Sequence, residues 1–167
     1  KVARELVEQA DMEKDLTLVF AQNIAHAKVI ADDFREALGE ELDIDTPQEF
    51  IKTIVGEDRH ADKDLQLFKK KRRNPKVAIT VDMVTTGVDV RPLKNLVFLR
   101  AVKSDILFNQ MIGRGTRNTD DKSHFNVFDC IGVFDHHGDL PPFNLENKEV
   151  HFSSSQSNTD DSDGGGE

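Results

Sequence analysis

Leu16-Thr17-Leu18-Val19-Phe20-Ala21 is a short apolar run of strand length, and Asn23 follows where a helix N-cap would stand. Ile24, Ala27, Ile30, Ala31, Phe34 and Leu38 then recur at helical spacing as far as Gly39, where the helix is expected to stop. Strand, tight turn and helix make one βα unit. Upstream, Val2, Ala3, Leu6, Val7 and Ala10 predict a short amphipathic helix within residues 1–14. Its packing partner is expected upstream of Lys1, in a longer polypeptide.

Downstream the unit repeats. Residues 40–45 are acidic and irregular. Thr46-Pro47-Gln48-Glu49 has the form of a capping box with proline at the first helical position. Phe50-Ile51-Lys52-Thr53-Ile54-Val55, closed by Gly56, reads instead as a strand, so a strand preceded by a turn is expected. Leu65, Leu67 and Phe68 fall in a helix that starts near Ala61 and runs into a basic stretch, ended by Asn74-Pro75. Val77-Ala78-Ile79-Thr80-Val81 predicts a strand, followed by the polar loop Thr85-Thr86-Gly87-Val88-Asp89. A buried strand is expected over 95–99. Ser104 then caps a helix whose apolar residues are Ile106, Leu107, Phe108, Met111 and Ile112, and 125–129 is the last strand. This alternation predicts an α/β domain, a mostly parallel sheet with helices on both faces, over residues 15–140. In such sheets ligands gather at the carboxyl ends of the strands. Residues 141–167, with Pro141-Pro142 and a Ser/Asp/Gly tail, are expected to be a linker or a disordered acidic tail.

Composition narrows the class. With 37% hydrophobic and 32% charged residues in 167, no stretch has the apolar run of a membrane span. The one cysteine, Cys130, excludes an internal disulfide and points to a reducing cytoplasm, and its apolar surroundings suit an inert buried thiol. A net charge of −9 argues against nucleic acid until the charges are located. Lys69-Lys70-Lys71-Arg72-Arg73-Asn74-Pro75-Lys76 is a dense basic run, in which Lys70, Lys71 and Arg72 are candidate nucleic-acid contacts. The competing reading is a solvated helix end whose cations are favoured by the helix dipole.

The chemistry concentrates in Gln110-Met111-Ile112-Gly113-Arg114-Gly115-Thr116-Arg117. On a helix these spacings put Gln110, Arg114 and Arg117 along one edge. The planar arginine fork stays charged and donates two hydrogen bonds at once, which suits phosphate oxygens. Gly113 and Gly115 remove side chains where a bulky ligand would approach the backbone.

Three stretches, in order, resemble the second RecA-like domain of superfamily 2 helicases and translocases. Leu18-Val19-Phe20-Ala21-Gln22-Asn23 is similar to motif IV, Val77 onward through Gly87, Asp89 and Val90 to motif V, and Gln110 through Arg117 to motif VI. The motif V stretch, followed by Asn95-Leu96-Val97-Phe98-Leu99-Arg100, most resembles the motor subunit of type I restriction enzymes.

The resemblance implies a RecA-like three-layer sandwich. It makes Arg117 an arginine finger toward the γ-phosphate of ATP, Arg114 a second phosphate contact and Gln110 a polar contact beside them. It turns Gly87 and Asp89 toward the nucleotide, with Asp89 on a ribose hydroxyl. It places Gln22 and Asn23 among the nucleic-acid contacts. Many relatives have a threonine six residues before that glycine, contacting the nucleic-acid backbone; this chain has Val81, with Thr80 beside it, so Asp82, Thr85 or Thr86 is expected to take that contact.

No GxxxxGK[ST] loop occurs, so Mg2+ and most of the ATP are expected on the first RecA-like domain of the same parent chain. The other implied partners are double-stranded DNA and the methyltransferase and specificity subunits, with no membrane. Arg100 lies outside the motifs, and its alanine variant is expected to stay active.

Three other readings compete. A metal site at Asp135-His136-His137-Gly138-Asp139 is disfavoured, because adjacent histidines in a strand point apart, and no metal ligand is assigned. A dinucleotide enzyme would need a glycine-rich turn after the first strand, where Gln22-Asn23-Ile24-Ala25 has none. A non-catalytic RecA-like interaction module, or another superfamily 2 DNA or RNA helicase, is the alternative to a restriction motor.

Overall fold

The computed structural model describes residues 2–41, 45–56, 58–70, 73–81, 90, 93–115, 124–133 and 149–154. Six strands form one sheet in the order β2-β3-β1-β4-β5-β6. They are β1 (Leu16–Phe20), β2 (Ile51–Thr53), β3 (Val77–Thr80), β4 (Leu93–Phe98), β5 (His124–Asp129) and β6 (Glu149–Ser154). Every pairing is parallel, so the α/β expectation holds and the sheet is parallel throughout.

Alternation along the strands divides the core into two layers. Leu16, Leu18 and Phe20 of β1, Leu96 and Phe98 of β4, and Phe125 and Val127 of β5 pack on one face. There they meet Leu65 and Phe68 of α4 (Ala61–Phe68) and Phe108, Met111 and Ile112 of α5 (Asp105–Gly115). Val19, Val77, Ile79, Val97 and Phe128 point to the other face, toward α1 (Val2–Gln9) and α2 (Ile24–Glu41). Helices therefore cover both faces, giving three layers.

Several expectations change. Ala3, Leu6 and Val7 of α1 share a core with Ala27, Ile30, Ala31 and Phe34 of α2, so α1 finds a packing partner within the chain. An Arg4–Glu40 ion pair lies along the same seam. Gly39 does not stop α2, which continues to Glu41, because the apolar stripe through Ala37 and Leu38 keeps it docked. Residues 46–55 hold both predicted patterns in succession. A single helical turn, α3 (Pro47–Phe50), has proline at its start but no side-chain cap from Thr46, and β2 follows immediately.

The helix α4 ends at Phe68, before the basic run rather than within it, because Phe68 is its last buried residue. Ile106, expected among the apolar contacts of α5, is 72% exposed. Phe108, Met111 and Ile112 already define the sheet-facing stripe, and two residues before Phe108 a helix faces away from it. Within the trailing 141–167 segment, 149–154 pairs with β5 from His124↔Glu149 to Asp129↔Ser154, a strand that the sequence reading did not include.

One row of polar residues crosses the core near the amino ends of three strands. Asn95 Nδ2 donates to Thr17 Oγ1 at 3.1 Å, and Asn126 Nδ2 donates to Asn95 Oδ1 at 2.8 Å. Thr17 and Asn95 are fully buried, so these bonds offset a desolvation cost that any other strand register would leave uncompensated. Beside them Lys94 Nζ lies 3.1 Å from Asp15 Oδ2.

Candidate functional site

The carboxyl ends of the central strands lie level with one another. Phe20 is in register with Thr80 of β3 and with Phe98 of β4, and Phe98 with Asp129 of β5. The exits toward Gln22-Asn23, the 82–89 segment and α5 therefore leave from one edge, where parallel sheets collect ligands.

The helix α5 is held there by two devices. Ser104 Oγ accepts the Leu107 N–H at 3.3 Å, the predicted cap. Phe108 packs at 6.1 Å from the Phe98 ring, which stacks at 5.3 Å on Phe20. With Phe108, Met111 and Ile112 turned to the sheet, Gln110 is left exposed on the opposite side. A Cβ added at Gly113 would meet nothing within 4 Å, so packing inside this domain does not require glycine at that position. Arg114 lies in α5 four residues after Gln110. Arg117 falls outside the described residues, as do Asp82, Thr85, Thr86, Gly87 and Asp89 of the motif V stretch and Asp135-His136-His137-Gly138-Asp139.

Gln22 and Asn23 are both exposed at the same edge. The side chain of Asn23 is already engaged: its Oδ1 accepts the His26 N–H at 2.8 Å and caps α2 as predicted. The Gln22 N–H donates to His26 Nδ1 at 3.3 Å, which ties the turn before α2 to its first helical turn. Thr80 is fully buried and holds no surface for nucleic acid. Val81 beside it accepts a hydrogen bond from Arg100 Nη1 at 2.7 Å through its backbone carbonyl.

The basic run is not part of this edge. Lys76 N–H donates to Phe50 O, and Thr17 N–H donates to Lys76 O, which places the end of the run at the amino ends of β1, β2 and β3. Lys70 and Arg73 are exposed, while Lys71 and Arg72 lie outside the described residues. Roughly 10 Å of β3 separates the two edges.

Cys130, just past β5, is half-buried. Burial pushes its thiol up to about 11, with the Asp129 and Glu5 carboxylates adding to the effect. A thiol raised this far is held mainly in its protonated form at neutral pH. Among the described residues no cluster of His, Cys, Asp and Glu could hold a metal ion, and no helix is long and apolar enough to cross a membrane.

The all-parallel three-layer sheet has the RecA-like fold of helicase C-terminal domains. The chain superposes on the C-terminal domain of the DEAD-box protein Dbp5 with a TM-score of 0.60 over 92% of its length and 81% of that domain, at 15% identity, a likeness of fold alone. In sequence it is similar to endonuclease subunits of type I restriction enzymes. It is 37% identical over 126 residues to the EcoKI endonuclease subunit of Escherichia coli K12, a match covering 71% of this chain and 10% of that subunit. A fragment assigned to a type I HsdR subunit of Vibrio vulnificus YJ016 superposes with a TM-score of 0.70 at 26% identity, over 91% of this chain and 32% of that one. No family model matches the chain. The chain thus has a helicase-like fold and spans about a tenth of the length of the curated relatives it matches.

Proposed function

We propose that this chain is the second motor domain of an ATP-dependent DNA translocase, within the R subunit of a type I restriction enzyme. The carrying observation is the placement of α5. Its apolar face is fixed to the sheet by Phe108, Met111 and Ile112, which leaves the exposed Gln110 at the carboxyl edge, in a helix that also carries Arg114.

Under this reading Arg117 reaches the γ-phosphate of ATP seated on the first RecA-like domain, and Arg114 and Gln110 add contacts beside it. Charge on the transferring phosphoryl oxygens is offset by fixed donors, and the finger reaches them only when the two domains close. Gly87 and Asp89 hold the nucleotide from this side. Mg2+ supplies further charge neutralisation and is held mainly by the first domain. Gln22, Asp82, Thr85 and Thr86 track the DNA backbone, with Asn23 dividing its side chain between that contact and its helix cap. Lys70, Lys71 and Arg72 meet further phosphates of the track. Methyltransferase and specificity subunits are the remaining partners of the assembly.

The purified chain alone is expected to fold and to hydrolyse no ATP, because it has no phosphate-binding loop. In the full-length motor, Arg117→Ala is expected to abolish most DNA-stimulated turnover. Turnover by the isolated chain free of contaminating ATPase would contradict the division of labour between domains. Turnover retained by Arg117→Ala would favour a non-catalytic RecA-like module.

A further inference from the structure

Arg100 stands at the carboxyl end of β4, half-buried, and its Nη1 donates to the Val81 carbonyl at 2.7 Å. That bond does not run between neighbours. Val81 follows β3, and β1 lies between β3 and β4 in the sheet. The nearby carbonyls belong to the ladder: Thr80 O accepts Ala21 N–H, Ile79 O accepts Ile54 N–H, and Phe20 O accepts Leu99 N–H. The Val81 carbonyl lies one residue past the last of these on β3. A charged donor reaches it from two strands away, in a half-buried place where such a bond is about twice as strong as a neutral one.

The positions of the two partners in the chain give the bond its significance. Val81 lies within the motif V stretch, immediately before residues 82–89, and Arg100 precedes Ser104, the N-cap of α5, by four residues. We propose that Arg100 is a positioning residue. It pins the exit of β3 to the exit of β4, and so fixes where the chain leaves the sheet toward Gly87 and Asp89 relative to where it leaves toward α5, the helix that carries Gln110 and Arg114. This role depends on the proposed nucleotide-facing function of those residues, and it replaces the expectation that Arg100 is a neutral bystander.

Loosening the exit of β3 weakens a contact made in ground and transition states alike, so the loss falls on binding. In the full-length motor with saturating DNA, Arg100→Ala is expected to raise KM for ATP about fivefold, with kcat falling less than about twofold. Arg100→Lys is expected to restore most of the affinity, because a single N–H suffices for a carbonyl. Arg117→Lys, which must supply a fork to phosphate oxygens, rescues poorly. Arg100→Gln, a neutral donor of shorter reach, falls between alanine and lysine, and the glutamine–lysine difference decides the matter if thermal melting shows that the alanine variant does not fold.

A wild-type KM in Arg100→Ala, a loss confined to kcat, or a lysine variant no better than the alanine or glutamine one overturns the role. Arg117→Ala in the same assay separates the two proposals. If it keeps its turnover, the cleft assignment of α5 fails. If it is inactive while Arg100→Ala behaves as wild type, only the role of Arg100 fails.

Discussion

The two edges of the parallel sheet use polar residues in opposite ways. Toward the amino edge, Thr17, Asn95 and Asn126 bond to one another in a row across three strands, and Asp15 pairs with Lys94. Thr17, Asn95 and Asp15 are buried, and each has its partner within the protein. At the carboxyl edge Gln22, Asn23 and Gln110 are exposed, and the bonds made there cap helices or tie strand exits together. Polar groups that satisfy one another in the core specify register and leave nothing for a ligand. Polar groups held on helix starts and strand exits stay available to one. The basic run complicates this contrast, because it carries exposed cations and ends at the amino edge.

The largest expected effect tests the carboxyl edge. Arg117→Ala in the full-length motor is expected to lower kcat by about 10³ while KM for ATP and the melting temperature change little, as for a group acting chiefly in the transition state. Steady-state ATPase at saturating DNA measures it. Near wild-type turnover would make the carboxyl edge no more functional than the amino edge.

Next comes the buried row. Asn95→Leu strands the Thr17 hydroxyl and the Asn126 carboxamide without their shared partner, and is expected to reduce unfolding free energy by about 2–3 kcal/mol. Urea denaturation reads the loss, and ATPase per folded molecule should hold. A fall in kcat with stability intact would mean that the amino edge takes part in the chemistry.

The basic run is tested through salt. Replacing Lys70, Lys71 and Arg72 together with glutamine is expected to reduce the slope of log affinity for double-stranded DNA against log salt by about 2–3. An unchanged slope and unchanged low-salt affinity would mark the run as solvated surface and sharpen the contrast between the edges.

The smallest effect separates two duties of one residue. Asn23→Ala is expected to cost about 1 kcal/mol of stability by removing the cap on α2, while Asn23→Asp keeps the cap. If the aspartate variant binds DNA as well as wild type at full stability, Asn23 is a cap and nothing more.

Much of the carboxyl edge was legible beforehand because caps are local. Asn23 and Ser104 were placed from spacing alone, and both bond as their spacing predicts. The sheet-facing residues of β1, β3 and β5 were legible for a similar reason, since short apolar runs between turn signals are what strands buried on both faces require. The misplacements have a common cause in tertiary packing. Gly39 is a weak helix former that the docked stripe of α2 carries through. Ile106 looked like core because it is apolar, yet Phe108, Met111 and Ile112 fill the available face. In residues 149–154 a mixed polar pattern gave no strand signal, and the open edge of β5 supplies the pairing.

By itself, the sequence determined the kind and succession of the elements from α1 to β5 apart from the single turn α3, the helix caps at Asn23 and Ser104, and the Gln-x-x-Gly-Arg-x-x-Arg unit that suits phosphate. These are encoded within a few residues of one another, through periodicity and backbone geometry. Tertiary structure alone decided that β1 sits between β3 and β4, that Arg100 reaches across it to Val81, and that the basic run ends on the opposite edge from the motifs. Those relations join residues far apart in the chain. They follow from which strands pair side by side, and parallel pairing carries the chain back to the amino edge between one strand and the next.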